Sequence, residues 1–242
     1  MTAPLVSVIM TVYNCERYIE RSLESIFNQS FQDFEFIICD DSSTDKTWRI
    51  YIKHFSNNRN FVRIVHTGNR KPSGCGVGRN EAIKYAKGKY IAIQDADDIS
   101  HPNRLEKEVE FLENNNDIFC VGSFADMIDA DGHFMNIMDY PPVSPEDIEK
   151  DIRKYINPII DPSSMFRRDI FNKLGGYDKE WKLIPDFNLW VRAILGGYKI
   201  ANIDSVLVDY RRHDNSVTNK YHDDTVREHF AMCRKYLPSK SR

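Results

Sequence analysis

Short apolar runs separated by amphipathic stretches organise the first hundred residues. Leu5 to Thr11 (LVSVIMT) is mostly apolar, holds several β-branched residues, and lies between Pro4 and Asn14, which reads as a buried strand. Ile19, Leu23, Ile26 and Phe27 then recur at helical spacing and predict an amphipathic helix over about 16–29. Phe34 to Cys39 (FEFIIC) predicts a second buried strand. Ser43, Thr44 and Asp45 are cap-type residues ahead of a helix carrying Trp48, Ile50, Tyr51 and Phe55. Phe61 to His66 predicts a third strand. A glycine-rich loop from Gly68 to Gly78 leads into a helix through Ala82, Ile83 and Ala86, ended by Gly88, and Tyr90 to Ile93 predicts a fourth strand. Strands alternating with helices, in mostly apolar runs, imply a parallel sheet covered on both faces: a three-layer α/β arrangement.

The second half is less regular. Helices are expected over Pro102 to Asn114, Ser144 to Lys154, from Pro185-Asp186 through Ile194, and over 222–237. Ser144 is placed as an N-cap, with Asp147 standing where a capping box has Glu or Gln. Strands are expected at Ile118 to Phe124, Ser163 to Phe166 and Val206 to Tyr210, and Asp129 to Gly132 reads as a turn between two strand-like stretches. No Pro/Gly/Ser-rich linker divides the halves. The expectation is therefore one domain over 1–242, with an α/β sub-region to about 100, a mixed sub-region over about 101–220, and a terminal helix and tail over 221–242.

Composition narrows the function. The 242 residues are 41% hydrophobic, enough for a substantial core, and Lys plus Arg (33) against Asp plus Glu (36) leaves a net charge of −3. That balance argues against a dedicated nucleic-acid binder, which carries a basic excess. The five cysteines are odd in number and contain no C-x-x-C, so a reducing, cytoplasmic setting is expected rather than a disulfide framework or a zinc site. MTAPLVSVIM does not read as a signal peptide, and no run reaches the roughly 18 apolar residues of a membrane span.

The candidate chemistry lies in the acidic residues. In open α/β sheets ligands bind beyond the carboxyl ends of the strands. Two of the four expected parallel strands end there in acidic clusters, Asp40-Asp41 and Asp95-Ala96-Asp97-Asp98. One such cluster is readily explained by turns and caps. Two at one sheet edge repel each other unless a cation binds there. Read as an extended segment, Asp95 and Asp97 project from one side, and a hard cation such as Mg²⁺ or Mn²⁺ is commonly held by one or two carboxylates plus substrate phosphates. The spacing points to a metal–phosphate site.

Ser7-Val-Ile-Met-Thr-Val-Tyr-Asn14, Ser25-Ile-Phe-Asn-Gln-Ser-Phe31, Cys39-Asp-Asp-Ser-Ser-Thr-Asp45, Gly78-Arg-Asn80 and Gly88 through Asp98 follow in order, and the ordered set, over about 5–215, resembles the family 2 glycosyltransferases. The resemblance implies a GT-A fold, Rossmann-like with a mostly parallel central sheet and a mixed C-terminal acceptor region. It also implies an inverting transferase using Mg²⁺ or Mn²⁺ and a nucleotide-sugar donor, a UDP-hexose or UDP-N-acetylhexosamine. Carried over residue by residue, Thr11, Tyr13 and Asn14 belong to the donor site, Asp41 to an imide N–H of the base, and Arg79 beside the nucleotide. Asp95 lies towards the ribose, and Asp97 holds the metal on the diphosphate with Asp98 as an adjacent alternative. Asp186, in Ile184-Pro-Asp-Phe-Asn-Leu-Trp190, matches the family's acidic stretch, although Pro185 stands where Glu is usual; it reads as the catalytic base, the alternative being a helix N-cap alone, and the two roles can coexist, with Asp161 the next carboxylate to consider. His213, in Tyr210-Arg-Arg-His-Asp-Asn-Ser-Val217, matches a basic segment able to reach the metal or diphosphate. Arg211 or Arg212 could pair with phosphate, and Trp181 or Trp190 could stack on a sugar. The acceptor would be a glycan or a lipid-linked sugar, with peripheral contact at the inner face of a membrane through Arg234, Lys235, Lys240 and Arg242. The rivals are a sugar nucleotidyltransferase, for which 11–18 (TVYNCERY) lacks a glycine-rich phosphate loop, a glycoside hydrolase, and an inactive nucleotide- or carbohydrate-binding module.

Overall fold

The apolar run after Pro4 forms β1 (Val6–Val12), whose residues Val6 to Met10 are wholly shielded from solvent. Residues 3–56, 62–69 and 71–237 are described by the computed structural model of the chain. Helix α1 (Ile19–Phe27) starts later than its periodicity suggests. The backbone N–H groups of Asn14, Cys15 and Glu16 donate to Ser43, Thr47 and Asp45 side chains, so this stretch is committed to the neighbouring loop rather than to a helix. There follow β2 (Phe34–Asp40), α2 (Thr47–Ser56), which Asp45 Oδ1 caps through Thr47 N–H at 2.9 Å, and β3 (Val62–His66). Phe61 lies outside the described residues.

Helix α3 (Cys75–Ile83) begins inside the expected glycine loop. Gly78 serves packing there rather than a turn, because a Cβ on it would stand 2.5 Å from Thr11 Cγ2. The helix ends at Lys84, and Gly88 lets the chain cross the start of β1 before β4 (Tyr90–Asp95). Strands β2 and β4 both run parallel to β1, and β3 runs parallel to β2. The order β3-β2-β1-β4 makes the β1/β4 crevice the switch point of the sheet. In register, Thr11 stands between Cys39 and Asp95.

The remaining elements are β5 (Ile99–Ser100), α4 (Arg104–Asn114), β6 (Ile118–Ile128), β7 (Phe134–Met138), α5 (Pro145–Arg153), β8 (Met165–Arg167), α6 (Arg168–Lys173), α7 (Pro185–Leu195), β9 (Lys199–Arg211), α8 (Val217–Lys220) and α9 (His222–Tyr236). A 3-10 turn at Asp161–Ser163 precedes β8 and takes Ser163 out of the expected strand. Ser144 caps α5 as expected, accepting from Asp147 N–H at 3.2 Å. β6 and β9 are longer than the sequence suggested because they pair along most of their length, through shifts of register that break the apolar pattern. The sheet runs β3-β2-β1-β4-β8-β6-β9-β5 with β7 beside β6, and β8 is antiparallel to both β4 and β6. Alternate residues of β1 and β4 feed two cores: Ile9, Ile91 and Ile93 face Phe166, Phe187 and Trp190, while Val8, Met10 and Ala92 face Leu23 and Leu105. Trp190 is therefore core, not a sugar platform; Trp181 is also buried.

One buried charge pair ties the halves together. Arg104 donates through Nε to Glu108 Oε1 at 2.8 Å and through Nη2 to the carbonyl of Ile93, and both side chains are fully buried. Burial raises the Glu108 carboxyl to about 7, against the lowering pull of Arg104. A carboxyl raised in the folded state keeps a proton that the unfolded chain has released, so its contribution is complete below the ordinary glutamate range and is lost as pH rises through about 7. Glu108→Gln keeps an acceptor for Arg104 and removes the titration. Thermal unfolding of this variant should show a flatter fall in stability between about pH 5 and pH 7 than the parent chain. Parallel curves would show that Glu108 does not titrate there.

Candidate active site

The carboxyl ends of β1 and β2 are braced against each other. Asn14, at φ 50°, accepts through Oδ1 from Thr44 N–H at 2.8 Å and from the Thr44 hydroxyl at 3.3 Å. Its side chain thus holds the loop after β2, while Tyr13 beside it is exposed. Thr11 Oγ1 is buried without a hydrogen-bond partner among the described residues. Asp41 is buried, and each of its oxygens accepts twice. Oδ1 takes the hydroxyls of Thr67 (2.9 Å) and Ser73 (2.8 Å), and Oδ2 takes the N–H groups of Ser73 (2.6 Å) and Gly74 (3.0 Å). A carboxylate has about four acceptor positions, so Asp41 is fully used by the loop it fixes.

The acidic stretch after β4 is a turn, not an extended segment, which corrects the reading that Asp95 and Asp97 project side by side. Asp98 N–H returns to the Asp95 carbonyl at 3.3 Å, and the three carboxylates part company. Asp95 Oδ1 accepts from Arg79 Nη2 at 2.8 Å. Asp97 Oδ2 lies 2.8 Å from His213 Nε2, bringing together the two residues expected at a metal. Asp98 turns inward, is buried, and accepts Arg211 N–H through Oδ1 at 2.7 Å, so it braces β9 instead of joining Asp97. Burial first, then the charges of Asp97 and Asp95, pushes its carboxyl well up. The His213 ring packs against Tyr18 at 4.7 Å. Arg211, one of the two arginines considered for phosphate, is buried and spends its guanidinium on the carbonyls of Asp97 and Asp129, while Arg212 is exposed.

The Gly78-Arg79-Asn80 run gives each residue a separate task. Gly78 admits Thr11. Arg79 is buried between two carboxylates, Asp95 and Asp161, with Nη1 2.6 Å from Asp161 Oδ2. Asn80 clasps the Tyr177 backbone, donating to its carbonyl at 2.7 Å and accepting its N–H at 3.0 Å. Arg79 therefore orients the acidic turn from below. Burial is also the main cause of the raised Asp95 and Asp161 carboxyls, the latter to about 7, against the lowering pull of Arg79.

Asp186 lies within electrostatic reach of the same group. Its charge acts on Asp95, Asp161 and Tyr177. The expectation that it caps α7 is corrected: Ile184 is the N-cap, Pro185 opens the helix, and no side chain caps it. The half-buried Asp186 carboxylate instead accepts from Asn157 Nδ2 at 2.9 Å. A proline that supplies the first helical position shifts the Asp one place inward, where it feels the helix dipole without closing a cap. The partners the sequence did not disclose are Asn157, Asn80 and Tyr177. Asn157-Pro158 and Gly175-Gly176 are turn signals that mark two of these segments, but neither indicates which side chain points to the acids.

Residues 7–175 match the family model for glycosyl transferase family 2, and the chain belongs to that family. It is 39% identical over 216 residues to an uncharacterized glycosyltransferase of Methanocaldococcus jannaschii, covering 87% of this chain and 72% of that protein. It is 32% identical over 225 residues to the Escherichia coli UDP-Glc:alpha-D-GlcNAc-diphosphoundecaprenol beta-1,3-glucosyltransferase WfaP, covering 93% and 84%. The GT-A fold is shared with Staphylococcus aureus TarS, solved in complex with UDP-GlcNAc, at a TM-score of 0.76 and 21% identity, covering 98% of this chain and 68% of that one.

Proposed function

We propose that this chain transfers a hexose or N-acetylhexosamine from a UDP-linked donor to a hydroxyl of a glycan or lipid-linked acceptor, in one displacement that inverts the anomeric carbon. The observation that carries the reading is Asp186: a carboxylate with no capping duty, held by one neutral amide, within electrostatic reach of Asp95 at the switch point of the sheet. It removes the proton of the attacking hydroxyl as general base. Thr11, Tyr13 and Asp41 form the base end of the donor site, and Asn14 belongs to the same donor site by holding its loop. Asp41 would accept an imide N–H in exchange for one of its four present bonds. Arg79 sets Asp95 towards the ribose.

Asp97 and His213 fit a divalent cation, since a carboxylate oxygen and an imidazole nitrogen already converge to 2.8 Å and phosphate oxygens can complete the shell. Mg²⁺ or Mn²⁺ there would supply neutralisation of the leaving diphosphate. We read 1–100 as the nucleotide-binding part of one domain, 101–220 as its acceptor part and 221–242 as a terminal helix and tail. No helix among the described residues is long and apolar enough to cross a membrane. A lipid-linked acceptor, as in the E. coli relative's name, fits peripheral contact at a cytoplasmic membrane face. Arg234 is exposed, and Lys235 is paired with Glu180; Lys240 and Arg242 lie outside the described residues.

Thermal unfolding with nucleoside diphosphates tests the donor reading. UDP with Mn²⁺ at about 100 times its Kd should stabilise the chain by about 2.7 kcal/mol and raise Tm by several degrees. If UDP, dTDP and GDP all leave the curve unmoved with metal present, the nucleotide-sugar reading fails.

A further inference from the structure

Three metal-ligating side chains from β5, β6 and β9 meet outside the Asp97–His213 pair. Asp126 of β6 and Asp209 of β9 stand opposite each other in register on paired parallel strands, so their carboxylates leave the sheet on one face. On the other side of β9, β5 runs antiparallel with Ile99 opposite Asp209. His101, two residues on from Ile99, is the diagonal neighbour of Asp209 on that same face. Its backbone is pinned at both ends: the N–H donates to the Leu207 carbonyl at 2.9 Å, and the carbonyl accepts Gln29 Nε2 at 2.8 Å. One imidazole nitrogen and one oxygen from each carboxylate all lie within 4.8 Å of one another, with His101 Nε2 2.6 Å from Asp209 Oδ1. The imidazole also hydrogen-bonds the backbone of Val206. Metal-binding histidines are commonly oriented in this way by a partner on the second ring nitrogen.

Like charges directly opposite on neighbouring strands are destabilising, and one protonated imidazole offsets only one of these two carboxylates. A divalent ion held by both carboxylates and a neutral imidazole balances the charge. The donor set selects the ion. Ca²⁺ takes six to eight oxygens and Mg²⁺ an octahedral oxygen shell, whereas one nitrogen, two carboxylate oxygens and a water make the four-coordinate shell of Zn²⁺. Bonds of about 2.0–2.2 Å at tetrahedral angles set ligand atoms about 3.3–3.5 Å apart, so these side chains reach that spacing by small rotations. The His101 and Asp209 side chains are 30% and 25% exposed, which leaves the ion a way in and room for its water. We propose that His101, Asp126 and Asp209 form a structural site for one Zn²⁺ ion that fastens β5 and β6 to β9. No cysteine takes part, so the cysteine pattern could not signal it. β5 begins straight after the acidic turn, and β9 leads to Arg211, whose N–H Asp98 holds, and on to His213. The ion therefore ties together the two strands that carry Asp97 and His213, and it needs no nucleotide.

The test is calorimetric titration of the chelator-treated chain with Zn²⁺, without nucleotide, beside thermal unfolding at each metal concentration. The parent chain should bind Zn²⁺ and gain Tm, because an ion that binds only the folded state stabilises it. His101→Gln and Asp126→Asn should each weaken that binding at least about 100-fold, more than the 10–100-fold of an outer-shell change, and lose the gain in Tm. Asp126→Asn keeps the side chain's size and removes the repulsion between the two carboxylates, so its metal-free Tm should equal or exceed the parent's. Loss of zinc in this variant is then not loss of fold. His213→Ala, which takes the imidazole from the other proposed cation, should keep the zinc. Co²⁺ in place of Zn²⁺ should give the intense visible absorption of a four-coordinate ion, missing in His101→Gln and Asp126→Asn. A parent chain that binds no Zn²⁺ overturns the proposal. So does zinc retained by both His101→Gln and Asp126→Asn, or zinc lost in His213→Ala alone. Failure of UDP to bind leaves this site standing, since nothing in it depends on the donor.

Discussion

Asp186→Asn should lower turnover by about 10²–10⁴-fold, the usual contribution of a general base, with little change elsewhere. Asparagine is nearly isosteric and still offers Asn157 an oxygen acceptor, but it cannot take a proton near neutral pH. Helix α7 does not depend on it for a cap, because Ile184 occupies that position and Pro185 opens the first turn. The structural loss is confined to one negative charge near the helix N-terminus, worth about 0.3–1 kcal/mol, or a few degrees in Tm. UDP affinity should stay near that of the parent chain. Turnover at saturating donor decides the matter: a variant still transferring within a few-fold would move the base elsewhere. Asp161 is then a poor successor, since Arg79 holds one of its oxygens at 2.6 Å.

The first, second and fourth strands were legible because each is a mostly apolar run, as burial on both faces of a parallel strand requires, whereas the edge strand β3 carries exposed Arg63 and Ile64. The acidic edges followed from the same pattern, as loops at the carboxyl ends must hold whatever interrupts it. What stayed hidden was the direction of side chains. Asp95 and Asp97 are two residues apart, and spacing alone put them on one side; the tight turn closed by Asp98 N–H sends one to Arg79 and the other to His213. The pairing of Arg79 with Asp161 spans 82 residues and depends on the fold bringing the 3-10 turn to α3, which no local pattern encodes. Likewise β9 read as five residues where the strand runs from Lys199 to Arg211, because its pairing with β6 shifts register and loses alternation. The Pro before Asp186 was visible. Its consequence, a carboxylate freed from capping, needed the helix start itself.

Asp97→Ala and Asp41→Ala should separate the two ends of the donor site. Asp97 is one of two side chains converging on the proposed cation, so its loss leaves His213 alone to hold it. Outer-shell substitutions around metals commonly cost 10–100-fold in affinity, and removal of a direct ligand should cost at least about 100-fold. The variant should therefore keep whatever weak UDP binding the base pocket provides, while Mn²⁺ no longer strengthens it. Asp41→Ala acts at the other end and by another route. It leaves the N–H groups of Ser73 and Gly74 without their acceptor, loosening the loop after β3 that walls the base pocket. UDP affinity should fall, with the ratio between Mn²⁺ and metal-free binding kept. Titration calorimetry with and without Mn²⁺ measures both quantities on each variant. Small and equal losses from both substitutions, with the Mn²⁺ response intact in each, would mean that neither the diphosphate nor the base lies where these carboxylates place them.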